Sequence, residues 1–262
     1  MVLRRMAGPL RALGFNEVGA VHTVLRGAGP GVMVDVGAHY GSSLRPFAQD
    51  GWQVFAIEPD PSNRRILQLR VSDQPNVIVD GRAVSERDGE IVDLYTSPVS
   101  TGISTLAPFH PTHHRSAEVE TVRLDTLLAA VDDVTVLKTD TEGYDLPVLR
   151  TFPWHRLRPR AVVAEFEDRK TIPLGYELHD MADFMVRLGY VVLVSEWYPV
   201  VEYGRHHQWR SVRRYPTALA DKRGWGNLIC IEPTLADQVL AQARLANRLS
   251  LAWRRAAGRL RR

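Results

Sequence analysis

Short, almost uninterrupted apolar runs alternate with helical segments along most of this chain. Four of them, at 32–36 (VMVDV), 53–58 (QVFAIE), 76–80 (NVIVD) and 160–167 (RAVVAEFE), are bounded by turn-forming or polar residues. Strands that are apolar along their whole length are typical of a parallel sheet covered by helices on both faces. The alternation therefore predicts an α/β fold with a mostly parallel sheet.

A length of 262 residues is compatible with one large domain, and we expect the whole chain to form one. We place the α/β core at 31–232, after an N-terminal helical segment at 1–30 whose helix covers 9–28. A basic C-terminal helix should follow at 233–262. Both ends are thus expected to be helical extensions of the core, and both helices are possible dimer surfaces.

Three segments depart from the strand–helix rhythm. Residues 81–97 place Asp88-Gly89 between short alternating runs, which predicts a hairpin. Residues 97–117 and 199–224 are polar and irregular, and we interpret them as insertions into the core. Loops of this length in a compact domain usually bind ligands or cover a site. We also expect a short helix from Ser42 to Gln49.

Composition narrows the classes of protein that remain. No run of about 18 apolar residues is present, so a membrane-spanning helix is not expected. The N-terminus shows no signal-peptide pattern, and we expect a cytoplasmic protein. The single cysteine, Cys230, lies in an apolar run and is expected to be a buried thiol.

The C-terminal segment 236–262 carries seven arginines against one acid, Asp237. It either packs as a helix with a solvated basic end or rests on an anionic membrane surface or an acidic partner. Nucleic-acid binding is not expected, because no recognised binding motif accompanies the charge. The residues available for its apolar stripe are Val239, Leu240, Leu245, Leu249 and Trp253.

Acidic residues lie at or just after the ends of several predicted strands: Asp35, Glu58, Asp80 and Asp140. Ligands of open parallel sheets bind beyond the carboxyl ends of the strands. Gly37 and the glycine at 41 resemble part of a dinucleotide fingerprint, but its middle glycine is absent. An acid at the first strand end suits a cationic group better than a pyrophosphate, and Glu58 is placed to bind ribose hydroxyls. This pattern predicts S-adenosylmethionine as the ligand, although each acid alone is equally common as a helix N-cap.

The segment LKTDTEGYD places Lys138, Asp140 and Glu142 at the end of a buried strand, before a glycine that permits a sharp turn. Charged residues in such a position need partners. Two interpretations remain open. The three groups either form a polar floor beneath an acceptor hydroxyl or form an internal salt-bridge cluster that orders the sheet.

From Val32 to Phe166 the sequence resembles the FkbM-type S-adenosylmethionine-dependent methyltransferases. The motifs that carry the resemblance are DVGAHYGSS, AIEPDPSN, RAVSERDGE and, most specifically, LKTDTEGYDLPVL. The resemblance implies a Rossmann-like class I methyltransferase sheet with helices on both faces. The sequence departs from the family at His39, where Asn is usual, and at Asp145, where Glu is usual.

The resemblance also implies roles for individual residues. Asp35 and the glycines at 37 and 41 would hold the methionine portion, Glu58 the ribose, and Asp80 with the backbone of 81–83 the adenine. Asp140 and Glu142 would lie at the methyl-transfer centre. The expected cofactor-binding residues are therefore Asp35, Gly37, Ala38, His39, Gly41, Glu58, Asp80, Ala83 and Asp140.

Methyl transfer to oxygen requires alignment and a group that accepts the hydroxyl proton. The candidates for the catalytic machinery are Asp140, Glu142, Lys138 and His207. The aromatic and arginine side chains of the two insertions suit a polyhydroxylated acceptor, such as a sugar, a glycolipid or polysaccharide, or a glycosylated natural product. The candidate acceptor-binding residues are His113, His114, Tyr203, Arg205, His206 and Trp209.

A metal ion is not favoured, although Asp140, Glu142 and Glu165 offer oxygen ligands that would suit Mg²⁺. Two other functions are weighed against methyl transfer. A nicotinamide-dependent oxidoreductase would use a similar sheet, but the missing glycine argues against it. A non-catalytic binding protein could retain the fold, although a row of strand-end acids has no evident purpose in one.

Overall fold

The computed structural model describes residues 14–205 and 207–259, with side chains described as far as Arg248. Predictions that fall on residues 1–13, on His206, and on the side chains of Leu249 and Trp253 therefore lie outside the described residues. The described strands are β1 (Val32–Val36), β2 (Gln53–Ile57), β3 (Val77–Asp80), β4 (Ala83–Val84), β5 (Ile91–Thr96), β6 (His114–Val122), β7 (Val136–Thr139), β8 (Ala161–Phe166), β9 (Val191–Trp197), β10 (Trp209–Arg214) and β11 (Trp225–Ile231). The described α-helices are α1 (Glu17–Leu25), α2 (Arg45–Gln49), α3 (Pro61–Arg70), α4 (Leu124–Leu127), α5 (Asp145–Thr151), α6 (Asp168–Thr171), α7 (Leu178–Arg187) and α8 (Ala236–Arg259).

Eight of these strands form one sheet in the order β10-β9-β11-β8-β7-β1-β2-β3. The five neighbouring strands β8, β7, β1, β2 and β3 run parallel. In contrast, β11 is antiparallel to both β8 and β9, and β10 is antiparallel to β9. The predicted mostly parallel sheet is confirmed. The strand order and direction are those of a class I methyltransferase sheet, with β10 added at one edge.

Residues of the central strands alternate between two hydrophobic cores. Val34 and Leu137 face one core with α5 and α7, and Met33 and Val136 face the other with α1, α2 and α8. This alternation follows from the period of two along a strand. The helices therefore cover both faces, as the apolar runs predict.

The predicted hairpin over 81–97 is wrong. β4 pairs in parallel with β6, and β5 pairs antiparallel with β6, so the hairpin joins β5 to β6 across the loop 97–113. The backbone beyond the Asp88-Gly89 turn bonds to Thr121 of β6, which directs the chain away from β4. The three strands form a second, smaller sheet in the order β4-β6-β5.

Several boundaries also differ from the predictions. The leading helix α1 begins after Asn16, whose side chain accepts a hydrogen bond from Gly19 N at 2.8 Å and caps the helix. The helix α2 begins at Arg45 rather than at Ser42. The segment 199–224 is not wholly irregular, because it contains β10. The polar appearance of that strand comes from arginines at the sheet edge.

The buried state of Cys230 is confirmed. On α8, Val239 is buried and Leu240 is partly buried against the core, whereas Leu245 is exposed, so the predicted stripe holds only in part. None of the helices in the described part of the chain combines the length and hydropathy needed to cross a bilayer.

Candidate active site

The carboxyl ends of β1, β2 and β7 meet at one edge of the large sheet, and the loop 97–113 lies over them. Between the strand ends and the loop is a cavity of about 230 Å³. Its described lining residues are Val36, Gly37, Ala38, His39, Ser42, Ser43, Ile57, Glu58, Pro59, Asn63, Ala83, Val84, Leu94, Thr101, Gly102, Ser104, Thr105, Leu106, Lys138, Asp140, Thr141, Glu142 and Tyr144.

The turn after β1 requires a glycine at position 37. Gly37 has φ +75°, and a Cβ atom there would lie 1.9 Å from the carbonyl oxygen of Asp140. The backbone N–H groups of Gly37 and Ala38 both donate to Ile57 O, at 2.9 and 3.0 Å. The first strand end is thereby fixed against its two neighbours, and the backbone itself forms part of the cavity wall.

Two non-glycine residues of the described chain have positive φ, and both line the cavity: His39 at 48° and Glu142 at 56°. Histidine tolerates this region better than most residues, which is consistent with His39 at this position. Such strained conformations concentrate at functional sites, where surrounding contacts enforce them.

Glu58, just beyond β2, is buried and faces the cavity. Its Oε2 accepts a hydrogen bond from His39 N at 2.7 Å, and its Oε1 accepts one from Asp60 N at 2.9 Å. Burial raises the pKa of Glu58 to about 7, against the lowering effect of these two hydrogen bonds. Each oxygen retains a further acceptor site, so the carboxylate can also accept from ligand hydroxyls.

Lys138 of β7 contacts residues at the ends of both β1 and β7. Its Nζ lies 3.0 Å from Asp35 Oδ1 and 3.4 Å from Asp140 Oδ2, and it donates to Gly37 O at 2.8 Å. Burial acts to lower the pKa of Lys138, but the charges of Asp35 and Asp140 outweigh it and raise that pKa. The structure therefore contains an internal salt-bridge cluster at LKTDTEGYD, and residues of the same segment line the cavity.

A second buried lysine lies on the other side of the same edge. Lys170 of α6 forms an ion pair with Glu142, and its Nζ lies 2.9 Å from Glu167 and 3.4 Å from Glu165. Sequence reasoning missed Lys170. The signal that could have found it is the spacing in AEFEDRK. Glu165 and Glu167 lie two residues apart at the end of a buried strand, and Lys170 follows three residues after Glu167.

Glu142 lies between this cluster and the cavity. Burial raises the pKa of Glu142 to about 7, although the Lys170 ammonium group acts to lower it. Its carbonyl oxygen accepts a hydrogen bond from Thr105 Oγ1 at 3.2 Å. A buried carboxylate with such a pKa can exchange a proton near neutral pH.

Asp140, Glu142 and Glu165 bring carboxylate oxygens within 4.8 Å of one another, which is the spacing of a possible metal site. The surroundings do not fit a metal ion, however. Lys170 already bonds to Glu142 and Glu165, and Lys138 pairs with Asp140. Two ammonium groups thus supply the positive charge that a divalent ion would supply.

The loop 97–113 is held over the cavity by single side-chain hydrogen bonds from several elements. Thr101 Oγ1 bonds to His39 Nε2 at 3.1 Å and to Tyr40 Oη at 3.2 Å, and Thr101 O accepts from Asn63 Nδ2 at 3.0 Å. Ser104 donates to Asp60 Oδ2 at 2.9 Å. None of these loop residues was predicted from the sequence, because the irregular segment showed no periodicity that would position them.

The expected cofactor-binding residues divide into two groups. Gly37, Ala38, His39, Glu58, Ala83 and Asp140 line the cavity. The remaining three lie outside its described lining and have structural contacts. Asp35 pairs with Lys138, Asp80 forms a 2.6 Å ion pair with Arg82, and Gly41 closes a turn onto Ala38 O.

Tyr203 lies in a groove of about 420 Å³ where the expected acceptor-binding segments meet. Its ring is 5.4 Å from that of His110, and its Oη accepts from Arg169 at 2.7 Å. The other described groove residues are Val99, Val200, Val201 and Glu202.

The other expected acceptor residues lie elsewhere. The prediction that Trp209 binds the acceptor is corrected by the structure. Its ring is buried against Phe15 and its indole N–H donates to Ser195 Oγ at 3.0 Å, because the inward face of β10 belongs to the core. His207, which was expected in the catalytic machinery, has its ring centre 5.1 Å from that of Trp225 and is not among the described lining residues of the cavity. His113 bonds within its own loop, to Ile103 O at 3.0 Å, His114 begins β6, and Arg205 pairs with Glu202 at 2.6 Å.

Comparison with known proteins gives one family match. The family model described as Methyltransferase FkbM domain matches residues 35–192, which is more than half of the chain. The match contains the glycine turn, Glu58, and the Lys138–Glu142 strand end. No curated protein sequence matches the chain.

Solved methyltransferases resemble the structure at low sequence identity. A precorrin-6y C5,15-methyltransferase from Geobacter metallireducens is 15% identical with a TM-score of 0.43, and the match covers 82% of this chain and 88% of that one. An O-methyltransferase from Bacillus cereus, solved in complex with SAH, is 10% identical with a TM-score of 0.46 and 87% coverage of both chains. A putative O-methyltransferase from Klebsiella pneumoniae is 10% identical with a TM-score of 0.44, covering 87% and 86%.

Proposed function

Since the chain belongs to the FkbM methyltransferase domain family and uses S-adenosylmethionine as its cofactor, we propose that it methylates a hydroxyl group of a sugar-containing acceptor. The acceptor would be a sugar, a glycolipid or polysaccharide, or a glycosylated natural product. The observation that carries the proposal is the cavity at the carboxyl edge of the sheet, which is lined by Glu58 and by the Asp140–Glu142 pair.

The residues that line the cavity fit this cofactor. Glu58 can accept hydrogen bonds from the ribose hydroxyls. Gly37 and Ala38 line the cavity, where their backbone can contact the methionine portion. Asp140 and Glu142 offer carboxylates to a sulfonium bound in the cavity, and Ala83 with Leu94 offers an apolar wall to an adenine ring.

When bound, S-adenosylmethionine supplies an electrophilic methyl group on a positively charged sulfur that leaves as a neutral thioether. The acceptor oxygen bonds to the methyl carbon while its proton passes to a carboxylate of this chain. We assign that proton to Glu142, because it faces the cavity and its pKa lies near neutral pH. Asp140, paired with Lys138, contributes fixed negative charge beside it.

The groove around Tyr203 supports a sugar-containing acceptor. It joins aromatic rings to a guanidinium and a carboxylate, which suit the faces and hydroxyls of a sugar. Tyr203 also lies 3.4 Å from Glu167 of the Lys170 cluster, so the groove and the methyl-transfer edge are connected by polar contacts.

Calorimetric titration with S-adenosylhomocysteine tests the cofactor site. We expect micromolar binding that Glu58→Ala abolishes, while Glu118→Ala on the exposed surface of β6 leaves it unchanged. NAD⁺, titrated in parallel, should not bind. An acceptor screen with a radiolabelled methyl donor then tests the hydroxyl substrate, and methylation of amines but not of sugars would contradict the O-methyl proposal.

A further inference from the structure

Lys170 is the most deeply enclosed cation of the described chain that the sequence pattern left unexplained. Its side chain is 2% exposed and is surrounded by Glu142, Glu165 and Glu167. Its Nζ also lies 4.9 Å from the centre of the Phe109 ring. Burying an ammonium group is costly unless carboxylates compensate it. Glu167 is also paired with Arg169 at 3.0 Å, so Glu142 and Glu165 are the carboxylates for which Lys170 is the cation in the described ion pairs.

Two acids at this edge, Glu142 and Asp140, line the cavity. Asp140 adds a fourth carboxylate, and its oxygens, with those of Glu142 and Glu165, lie within 4.8 Å of one another. Burial, and then repulsion from Glu142, raise the pKa of Glu165 well above its usual value. Oxygen ligands at this spacing can hold a hard divalent cation, but here the position beside Glu142 and Glu165 is taken by the Lys170 ammonium group.

Glu142 is held in place through its whole length. Its φ of 56° sets the backbone, Thr105 bonds its carbonyl oxygen, and Lys170 bonds its carboxylate. The next residue, Gly143, has its carbonyl bonded by Tyr176 Oη at 2.7 Å, and a Cβ atom there would lie 3.2 Å from Lys170 Cβ. The carboxylate that faces the cavity therefore has one orientation, which depends on Lys170.

We propose that the Lys170 ammonium group acts as the cation of the methyl-transfer centre. It occupies the place that a divalent ion would take, and from there it positions the Glu142 carboxylate. Lys170 is thus a positioning residue, acting on the acceptor only through Glu142. The inference rests on the proposed function in taking this edge as the methyl-transfer centre. Its main test needs no turnover and no known acceptor, so the two can fail separately.

The decisive experiment is calorimetric titration of Mn²⁺ into the wild type, Lys170→Ala and Lys222→Ala, each in chelator-treated buffer. Removing the Lys170 side chain opens space among the carboxylates, so we expect Mn²⁺ to bind Lys170→Ala roughly a hundredfold more tightly than the wild type. Lys222 is exposed, and its replacement should leave the wild-type behaviour. Adding Glu165→Gln to Lys170→Ala should remove the new site.

Three outcomes would overturn the proposal: Mn²⁺ binding by the wild type that Glu165→Gln removes, no binding by a folded Lys170→Ala protein, or a Lys170→Ala protein that stays unfolded at saturating Mn²⁺. Each would mean that the ammonium group is not interchangeable with a divalent ion. Binding of S-adenosylhomocysteine, measured on the same samples, reports separately on the proposed function.

Once an acceptor is found, kinetics distinguish positioning from general structural support. Lys170→Ala should lower kcat while the KM for S-adenosylmethionine stays within about twofold, because the carboxylate orientation affects the transition state and not cofactor binding. Mn²⁺ should restore part of kcat. A Lys170→Ala protein in which kcat falls, the KM for S-adenosylmethionine rises and Mn²⁺ changes neither would contradict the positioning role.

Discussion

The floor and the cover of the cavity are held by different kinds of interaction. The floor, formed by the strand ends at Gly37, Glu58, Lys138 and Asp140, is fixed by sheet hydrogen bonds and a buried ion-pair cluster. The cover, defined here as residues 100–106, is held mainly by single hydrogen bonds from side chains of other elements. In the cover, Ile103 is the buried apolar residue.

The two kinds of interaction should give the floor and the cover different local stabilities. Segments with few buried apolar contacts open locally at a lower free energy than the central strands of a sheet. We therefore expect the cover to open for a ligand to enter and leave while the residues of the floor stay in place. Perturbing the floor should change global stability or affinity, and perturbing the cover should change rates of opening.

The largest effect is expected for Lys138→Met in the floor. The substitution leaves the fully buried Asp35 without its cation and should lower the free energy of unfolding by about 3–5 kcal/mol, measured by urea denaturation. The double variant with Asp35→Asn should recover part of this loss. Equal stability of Lys138→Met and the wild type would show that the floor does not depend on this ion pair.

An intermediate effect is expected from the ionisation of Glu58. Burial raises the pKa of Glu58 to about 7, and the ionised form accepts more hydrogen bonds from ribose hydroxyls. Affinity for S-adenosylhomocysteine should therefore rise with pH, up to about tenfold per unit below the pKa, and level off above it. Calorimetry across pH 5–9 measures this, the same curve for Glu58→Gln should be nearly flat, and a wild-type affinity that falls with pH would contradict the ribose role.

The smallest effect on stability is expected for Thr101→Val in the cover. The change removes hydrogen bonds to His39 and Tyr40 and should cost about 1 kcal/mol or less of global stability. Amide exchange at Thr105, whose N–H bonds to Tyr95 O, should nevertheless become faster. Thr217→Val, whose hydroxyl bonds only locally among the described contacts, is the matched control, and equal exchange in both variants would show that the cover is not held through Thr101.

The sequence could predict the floor because its residues follow apolar strands of fixed period. Once β1, β2 and β7 are recognised, Gly37, Glu58 and Asp140 must lie at the same edge of the sheet. The side of the strand from which each carboxylate projects is harder to predict. Asp35 is therefore buried against Lys138, outside the described lining of the cavity, although its position along β1 is as expected.

The cover and Lys170 depend on contacts between residues distant in sequence. Thr101 meets His39 and Asn63 across 62 and 38 residues, with no local pattern that records the pairing. Trp209 illustrates the opposite error, since a tryptophan among arginines suggested a ligand site, while the alternation along β10 turns that ring into the core. Chemical type was a weaker guide there than strand period.

The edge strand β10 has a consequence for how copies of this chain meet. A strand at the end of a sheet exposes unpaired backbone groups that can pair with the edge of another molecule. β10 carries Arg210, Arg213 and Arg214, of which the first two are balanced by the buried Glu196 and the third is exposed. The charge of Arg214 is not balanced by any of the described ion pairs, so we expect it to disfavour pairing of β10 with the β10 edge of another copy.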